Sequence, residues 1–231
     1  MDTHSVADGL VLSKPTLPTD KLLAYLEGQT FERFVASAER YGSLLRGRYA
    51  ESRLPPALQF AAELFPETIN ILALVTEEDP DTIAVTPAVA RLVNGSPRLQ
   101  LRILRDDDDL TPLTILAPML DLSTLLDEWD LPQFLLFDED WELQAQWGPR
   151  PAAAEGPLES WLDDHPTYAN LAEDESPAAQ EQAALLTQEL VYSMRVWYNS
   201  GLTKACYDEW YDLLRAWQSG DDATVLESDV P

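Results

Sequence analysis

The sequence predicts an α/β protein: a mixed sheet of about four strands, flanking helices, and helical extensions at both ends. Two observations carry this. Ile69-Asn-Ile-Leu-Ala-Leu-Val75 is a nearly continuous apolar run, as expected of a strand covered on both faces, and a helical segment and a second apolar strand at Leu99–Leu104 follow it. Strand, helix, strand at this spacing is a parallel crossover unit. The second observation is the stretch from Trp129 to Pro151, which reads as an antiparallel hairpin entered through Pro132. Proline lacks a ladder donor and restricts the residue before it, so its position directly ahead of a buried strand calls for a specific reason.

In chain order, residues 1–19 read as a loose arm, ahead of a domain expected over 20–218. Asp20 is placed to cap a short helix carrying Leu22, Leu23 and Leu26, which Gly28 stops. From Thr30 the residues Phe31, Phe34, Val35, Ala38, Tyr41, Leu44 and Leu45 recur at three and four, predicting one longer helix, with Arg33, Arg40, Arg46 and Arg48 on its polar side. Pro55-Pro56 ends it, and Ala57–Phe65 is a further short helix. The core is expected over 67–151. Its first strand runs into Thr76-Glu-Glu-Asp-Pro-Asp81, where Asp81 is the expected N-cap of a helix through Val93 that Pro87 kinks. After the second strand, Thr111-Pro112 starts a helix carrying Leu113, Leu116, Met119 and Leu120, interrupted at Pro118 and continuing to Trp129. The hairpin strands are Gln133–Phe137 and Glu142–Trp147. Residues 152–177 read as a linker holding one helical turn at Pro157–Leu162. The C-terminal helices are expected over 178–217, the first with Ala183, Leu186, Leu190, Met194 and Trp197 on one face. An acidic tail occupies 219–231.

Charge divides the chain unevenly. Of the net −26, residues 1–105 hold 11 Lys/Arg and 13 Asp/Glu, whereas residues 106–231 hold 4 and 28. Salt adaptation would acidify both halves; an acidic face for a protein with a basic surface, or a merely solubilising surface, fits the asymmetry better. No basic patch with interleaved aromatics points to nucleic acid. No run of about 18 apolar residues points to a membrane span, and no secretory leader pattern opens the sequence, so a cytoplasmic location is expected. The oligomeric state is left open.

The candidate chemistry is sparse. Cys206 is the single cysteine, which excludes an intrachain disulfide. Leu202, Cys206, Trp210, Leu213 and Trp217 fall at helical spacing, so its thiol is expected to be buried. Asp106, Asp107, Asp108 and Asp109 are the weak candidates for a hard cation. They lack the alternating ligands and turn glycine of a calcium loop, so a solvated helix-capping run is expected, with no metal and no cofactor. His4 and His165 fall in the arm and the linker, outside any nucleophile motif. Among the C-terminal aromatics, Tyr198, Tyr207 and Tyr211 are expected off the core face, beside acidic residues.

Leu131-Pro132-Gln-Phe-Leu-Leu-Phe-Asp138, Trp147-Gly-Pro-Arg-Pro151, Leu99-Gln-Leu-Arg-Ile-Leu-Arg-Asp106 and Ser193-Met-Arg-Val-Trp-Tyr198 resemble segments of a bacterial thioredoxin-like family of unassigned role. The resemblance implies a thioredoxin fold in which Leu131–Pro132 is a cis peptide facing the start of the first core helix. Where that family carries Thr-Glu-x-Trp-Cys, this chain reads Thr76-Glu77-Glu78-Asp79-Pro80-Asp81. The former active-site position is therefore Glu78, Asp79, Pro80 and Asp81, without a thiol. With that departure, the resemblance implies a binding or adaptor module that has lost its redox cysteines, using the old groove for an extended peptide or its acidic surface for a basic partner. Glu77, Glu78 and Asp79 would favour a basic or amine-bearing ligand there. The alternative is a thiol–disulfide oxidoreductase-like or thiol-sensing protein working through Cys206 or a partner's thiol.

Overall fold

Strand β1 (Ile69–Val75) is buried at every residue, because it lies inside a four-stranded sheet with helices on both faces. The computed structural model describes residues 17–122, 126, 129–174 and 176–219. Strand β2 (Leu99–Arg105) pairs with β1 in parallel, β3 (Gln133–Phe137) pairs with β1 antiparallel, and β4 (Leu143–Trp147) pairs with β3 antiparallel, giving the order β2-β1-β3-β4. Helix α5 (Pro80–Val93) is the crossover between the parallel strands. The outer edge of β2 is closed by Gln29, whose N–H donates to Ile103 O at 2.8 Å while Ile103 N–H donates back at 2.9 Å.

Alternation along the strands assigns each helix to a face. Leu72, Leu74, Leu135 and Phe137 pack beneath α1 (Pro18–Glu27) and α6 (Thr111–Leu116), with Tyr25 and Trp141 in contact at 5.3 Å. Ile69, Ile71, Ala73, Val75, Phe134 and Leu136 face the larger layer. That layer holds α2 (Phe31–Ser37), α3 (Gly42–Glu51), α4 (Pro56–Glu63), α5, α7 (Glu155–Asp164), α8 (Tyr168–Glu173), α9 (Pro177–Trp197) and α10 (Thr203–Ser219). Helix α5 is buried along nearly its whole length, Arg91 being its exposed residue between Asp81 and Leu92.

Several elements differ from the sequence reading. The single helix expected from Thr30 is two, α2 and α3, separated at Ala38–Tyr41. A Cβ on Gly42 would lie 2.7 Å from Val35 O, so the chain folds back onto α2 where only glycine fits. Arg48 is not on a polar face. It is 1% exposed and donates to Asn199 Oδ1 at 2.5 Å and Thr203 Oγ1 at 3.1 Å, fastening α3 to the α9–α10 junction. The expected linker at 152–177 contains α7 and α8, held by Trp161 stacked on His165 at 4.0 Å and edge-on to Tyr168. Tyr198 and Tyr207 are fully buried rather than off the core face. Asp20 is the third residue of α1 rather than its N-cap; the cap position is Leu17, whose N–H donates back to Asp20 Oδ2 at 3.4 Å. Helix α6 ends at Leu116 rather than carrying Met119 and Leu120, because the chain turns at Ala117–Leu120, where the Leu120 N–H donates to Ala117 O at 3.0 Å. Residues 123–125, 127 and 128 of the expected extension toward Trp129, the arm up to residue 16 and most of the acidic tail lie outside the described residues. Among the described residues, no helix is long and apolar enough to cross a membrane.

Candidate functional site

Strand β1 delivers Thr76–Asp81 to the N-terminus of α5, and each polar side chain of this turn has a partner. Thr76 Oγ1 donates to Asp106 Oδ2 at 2.6 Å. Glu77 pairs with Arg105 at 2.6 Å and accepts from the Glu39 N–H at 2.7 Å. Glu78 pairs with Arg40 at 3.1 Å. Asp79, not Asp81, is the N-cap: its Oδ1 accepts from the Asp81 N–H at 2.8 Å and the Thr82 N–H at 3.2 Å, with Pro80 at the first helical position. These are the donors, reinforced by the helix dipole, that would stabilise an anion at this place. Here the chain's own carboxylate takes them.

Asp81 points back into the protein. Its side chain is 6% exposed and its Oδ2 accepts from Arg150 Nη2 at 2.7 Å and Nε at 2.8 Å, while Oδ1 is buried with no hydrogen-bond partner. Arg150 Nη1 also reaches Glu155 at 3.2 Å and Asp130 at 3.7 Å. One guanidinium therefore ties the start of α5 to the turn ahead of β3. The local sequence sets its position. Gly148 has φ 139° and the Gly148–Pro149 bond is cis, and a Cβ at Gly148 would lie 2.3 Å from Pro132 O. The strand after Trp147 can thus lie directly on the Pro132 turn and aim Arg150 across it. The Leu131–Pro132 bond is also cis. Gln133 closes the turn, donating from Nε2 to Asp130 O at 2.7 Å and accepting from Gln146 at 2.9 Å.

The electrostatics reflect this packing. Burial first, then the Asp81 carboxylate, push Asp79 up to about 7, and the two N–H donors offset only part of that. Burial also raises Asp81, with Arg150 pulling the other way. For Arg150, burial lowers the pKa but the bonds to Asp81 and Glu155 outweigh it, so the guanidinium ends above its usual value and stays charged.

The structure thus brings Glu78, Asp79, Pro80 and Asp81 into one turn, joined to Leu131–Pro132 through Arg150 and Asp130. Cys206 is elsewhere, wholly buried on α10, and burial drives its thiol far above the ordinary cysteine range. Asp106, Asp108 and Asp109 are spent on local structure: Asp106 on Thr76, Asp108 on the Arg105 N–H at 3.1 Å, and Asp109 on Thr111 N and Oγ1 at 2.9 and 2.7 Å. Asp107 is exposed. Among the described residues no three His, Cys, Asp or Glu side chains converge on a metal position. Of the two glutamates expected to favour a basic ligand, Glu77 is held by Arg105 in a pair no more than 17% exposed, whereas Glu78 pairs with Arg40 at the surface and stays 49% exposed. Arg150, the residue that organises the site, was visible only as part of the Trp-Gly-Pro-Arg-Pro string.

Sheet order, crossover helix and this proline turn define a thioredoxin-like α/β protein. A family model described as thioredoxin matches residues 28–162, more than half of the chain, and the chain belongs to that family. No curated protein matches it. Among solved structures it is similar to a protein of unknown function from Pseudomonas aeruginosa, at 18% identity and a TM-score of 0.46, over 77% of this chain and 96% of that one. It is also similar to an HIV epitope scaffold, at 16% identity and a TM-score of 0.45, over 80% of this chain and 95% of that one.

Proposed function

We propose that the chain is a binding module on the thioredoxin fold, without thiol–disulfide chemistry of its own, whose ligand face is the β1–α5 turn together with the Leu131–Pro132 turn. The observation that carries this reading is Asp79. Its carboxylate caps the α5 N–H groups at the point where a redox thiolate would need them. Cys206 supports it from the other side, being fully buried with a raised thiol pKa, so the thiol-sensing alternative lacks an accessible nucleophile.

Binding is of an extended segment laid along the Leu131–Pro132 turn by backbone pairing. The side-chain preference at this face comes from carboxylates that remain open to solvent: Asp130 is 74% and Glu155 52% exposed, both around Arg150. A lysine or arginine in the segment pairs with these two, whereas Glu77 and Asp81 stay with their own arginines. The test is a titration of the ¹⁵N-labelled chain with an extended, proline-free decapeptide carrying two arginines. The reading expects shift changes gathered at residues 76–82 and 129–133 and lost in Asp130→Arg/Glu155→Arg. Changes confined to other surfaces, or binding unaltered by the double variant, would sink it.

A further inference from the structure

Helix α9 uses one face for the core, through Leu190, Val191 and Met194. On another face it leaves Leu185 63%, Tyr192 52% and Val196 63% exposed. Their spacing of seven and four puts them in a single stripe, with Glu189 in the same row. The stripe is also poor in charge. Between residues 184 and 200 the charged side chains are Glu189 and Arg195, inside the half of the chain that holds 28 acidic residues. Depletion of charge around exposed apolar and aromatic side chains is the composition of an interface core. Alongside runs a cleft of about 370 Å³ between α9 and the start of α3, lined by Tyr41, Leu44, Gln188 and Tyr192 with Arg40 and Arg195 in its walls.

We propose that this chain pairs with a second copy of itself through α9, antiparallel and two-fold, centred on Tyr192. The charge pattern selects this occupant. Glu189 lies three residues before Tyr192 and Arg195 three residues after it, so a two-fold axis there sets each Glu189 opposite Arg195 of the second copy. In the same register Val196 enters the hole formed by Leu185, Gln188, Glu189 and Tyr192 of the second copy, the knob-and-hole relation of packed helices. The two Tyr192 rings meet on the axis at the mouth of the cleft. Both charges keep capacity for this. Arg195 binds Glu51 through Nε and Nη2, leaving Nη1, and Glu189 meets His165 through Oε1, leaving Oε2. The surface is distinct from the β1–α5 and Pro132 face, and the proposal does not depend on it.

One helix pair makes a small interface, below about 1,200 Å² in total, and so a weak, concentration-dependent dimer. Each copy carries −26, so long-range repulsion opposes pairing at low salt and fades as the Debye length falls from about 8 Å at 0.15 M to about 3 Å at 1 M. The dimer therefore tightens as salt is added.

Sedimentation velocity on the full chain tests this over about 1–200 μM, a range that brackets micromolar association, in 0.15 M and 1 M NaCl. The expected result is a monomer–dimer equilibrium at least several-fold tighter in 1 M salt. Val196→Glu abolishes it with unchanged far-ultraviolet circular dichroism. Glu189→Arg alone and Arg195→Glu alone each weaken it, and an equimolar mixture of the two restores it, since the mixed pair regains both ion pairs. Glu189→Arg leaves the Arg195–Glu51 bond in place, so its result stands even where Arg195→Glu disturbs folding. A monomer at every concentration and salt, or a dimer that Val196→Glu leaves intact, overturns the proposal.

Discussion

Replacing Arg150 with methionine isolates the contact that organises the site. The substitution keeps an unbranched stem of similar bulk and removes the guanidinium that bonds Asp81 Oδ2 at 2.7 and 2.8 Å. Asp81 then has neither oxygen partnered, since Oδ1 already lacks a hydrogen bond, in a side chain only 6% exposed. Breaking a buried pair on one side costs about 3–5 kcal/mol. Arg150 is itself 13% exposed and some water will follow it, so about 3 kcal/mol is the working figure. For a chain of this size that is a fall in Tm of roughly 6–12 °C. The pH dependence identifies the cause. Without Arg150 the folded-state pKa of Asp81, already raised by burial, rises further above the unfolded value. The folded state then binds more protons than the unfolded one, so stability falls as pH rises through this window. The penalty is small near pH 4 and complete above the raised folded pKa. Urea denaturation at pH 5 and pH 8, followed by tryptophan fluorescence, measures it, and Arg150→Met/Asp81→Asn should recover at least half of the loss at pH 8. A loss below about 1 kcal/mol at pH 8, a loss equal at both pH values, or no recovery in the double variant would refute the reasoning.

Asp79→Asn keeps an N-cap acceptor and removes a charge that the fold disfavours. A carboxyl shifted from 3.8 to about 7 sets a ceiling of about 4 kcal/mol, and water reaching this half-buried group reduces it to about 1–2 kcal/mol. Because the folded pKa is the higher one, the wild type loses stability between pH 4 and 7. Asp79→Asn should therefore be the more stable protein at pH 8 and no better at pH 4, and a variant less stable at both would mean that the ionised cap is favourable. Gly148→Ala places a Cβ 2.3 Å from Pro132 O at φ 139° and should cost at least about 2 kcal/mol in chemical denaturation. A neutral effect would show that the strand does not press on the Pro132 turn. Cys206 should resist 5,5′-dithiobis(2-nitrobenzoic acid) in native buffer and react fully in 6 M guanidinium, whereas rapid native labelling would contradict its burial.

Much of the frame was legible because it depends on local pattern. The run Ile69–Val75 can be apolar throughout only if both faces are covered, and Pro132 ahead of Gln133–Phe137 marks the turn by its missing donor. The errors came where tertiary partners decide. Arg48 looks like a polar-face residue by spacing, yet Asn199 and Thr203, some 150 positions away, supply the bonds that let it be buried. Phe31–Leu45 keeps a helical period across Ala38–Tyr41, so nothing in the apolar pattern announces the fold-back that Gly42 permits. Asp79 and Asp81 are equally good capping residues, and Arg150 decides between them by binding Asp81. The acidic content of 152–177 suggested a linker, although Trp161 and Tyr168, which anchor α7 and α8, were present in it.

The most direct test of the central claim is reduction of insulin by dithiothreitol, followed as turbidity in the presence of the full chain. With Asp79 capping the first N–H groups of α5 and Cys206 buried, the rate should equal the dithiothreitol background and be unchanged by Cys206→Ser. An acceleration over background that disappears in Cys206→Ser would contradict the account.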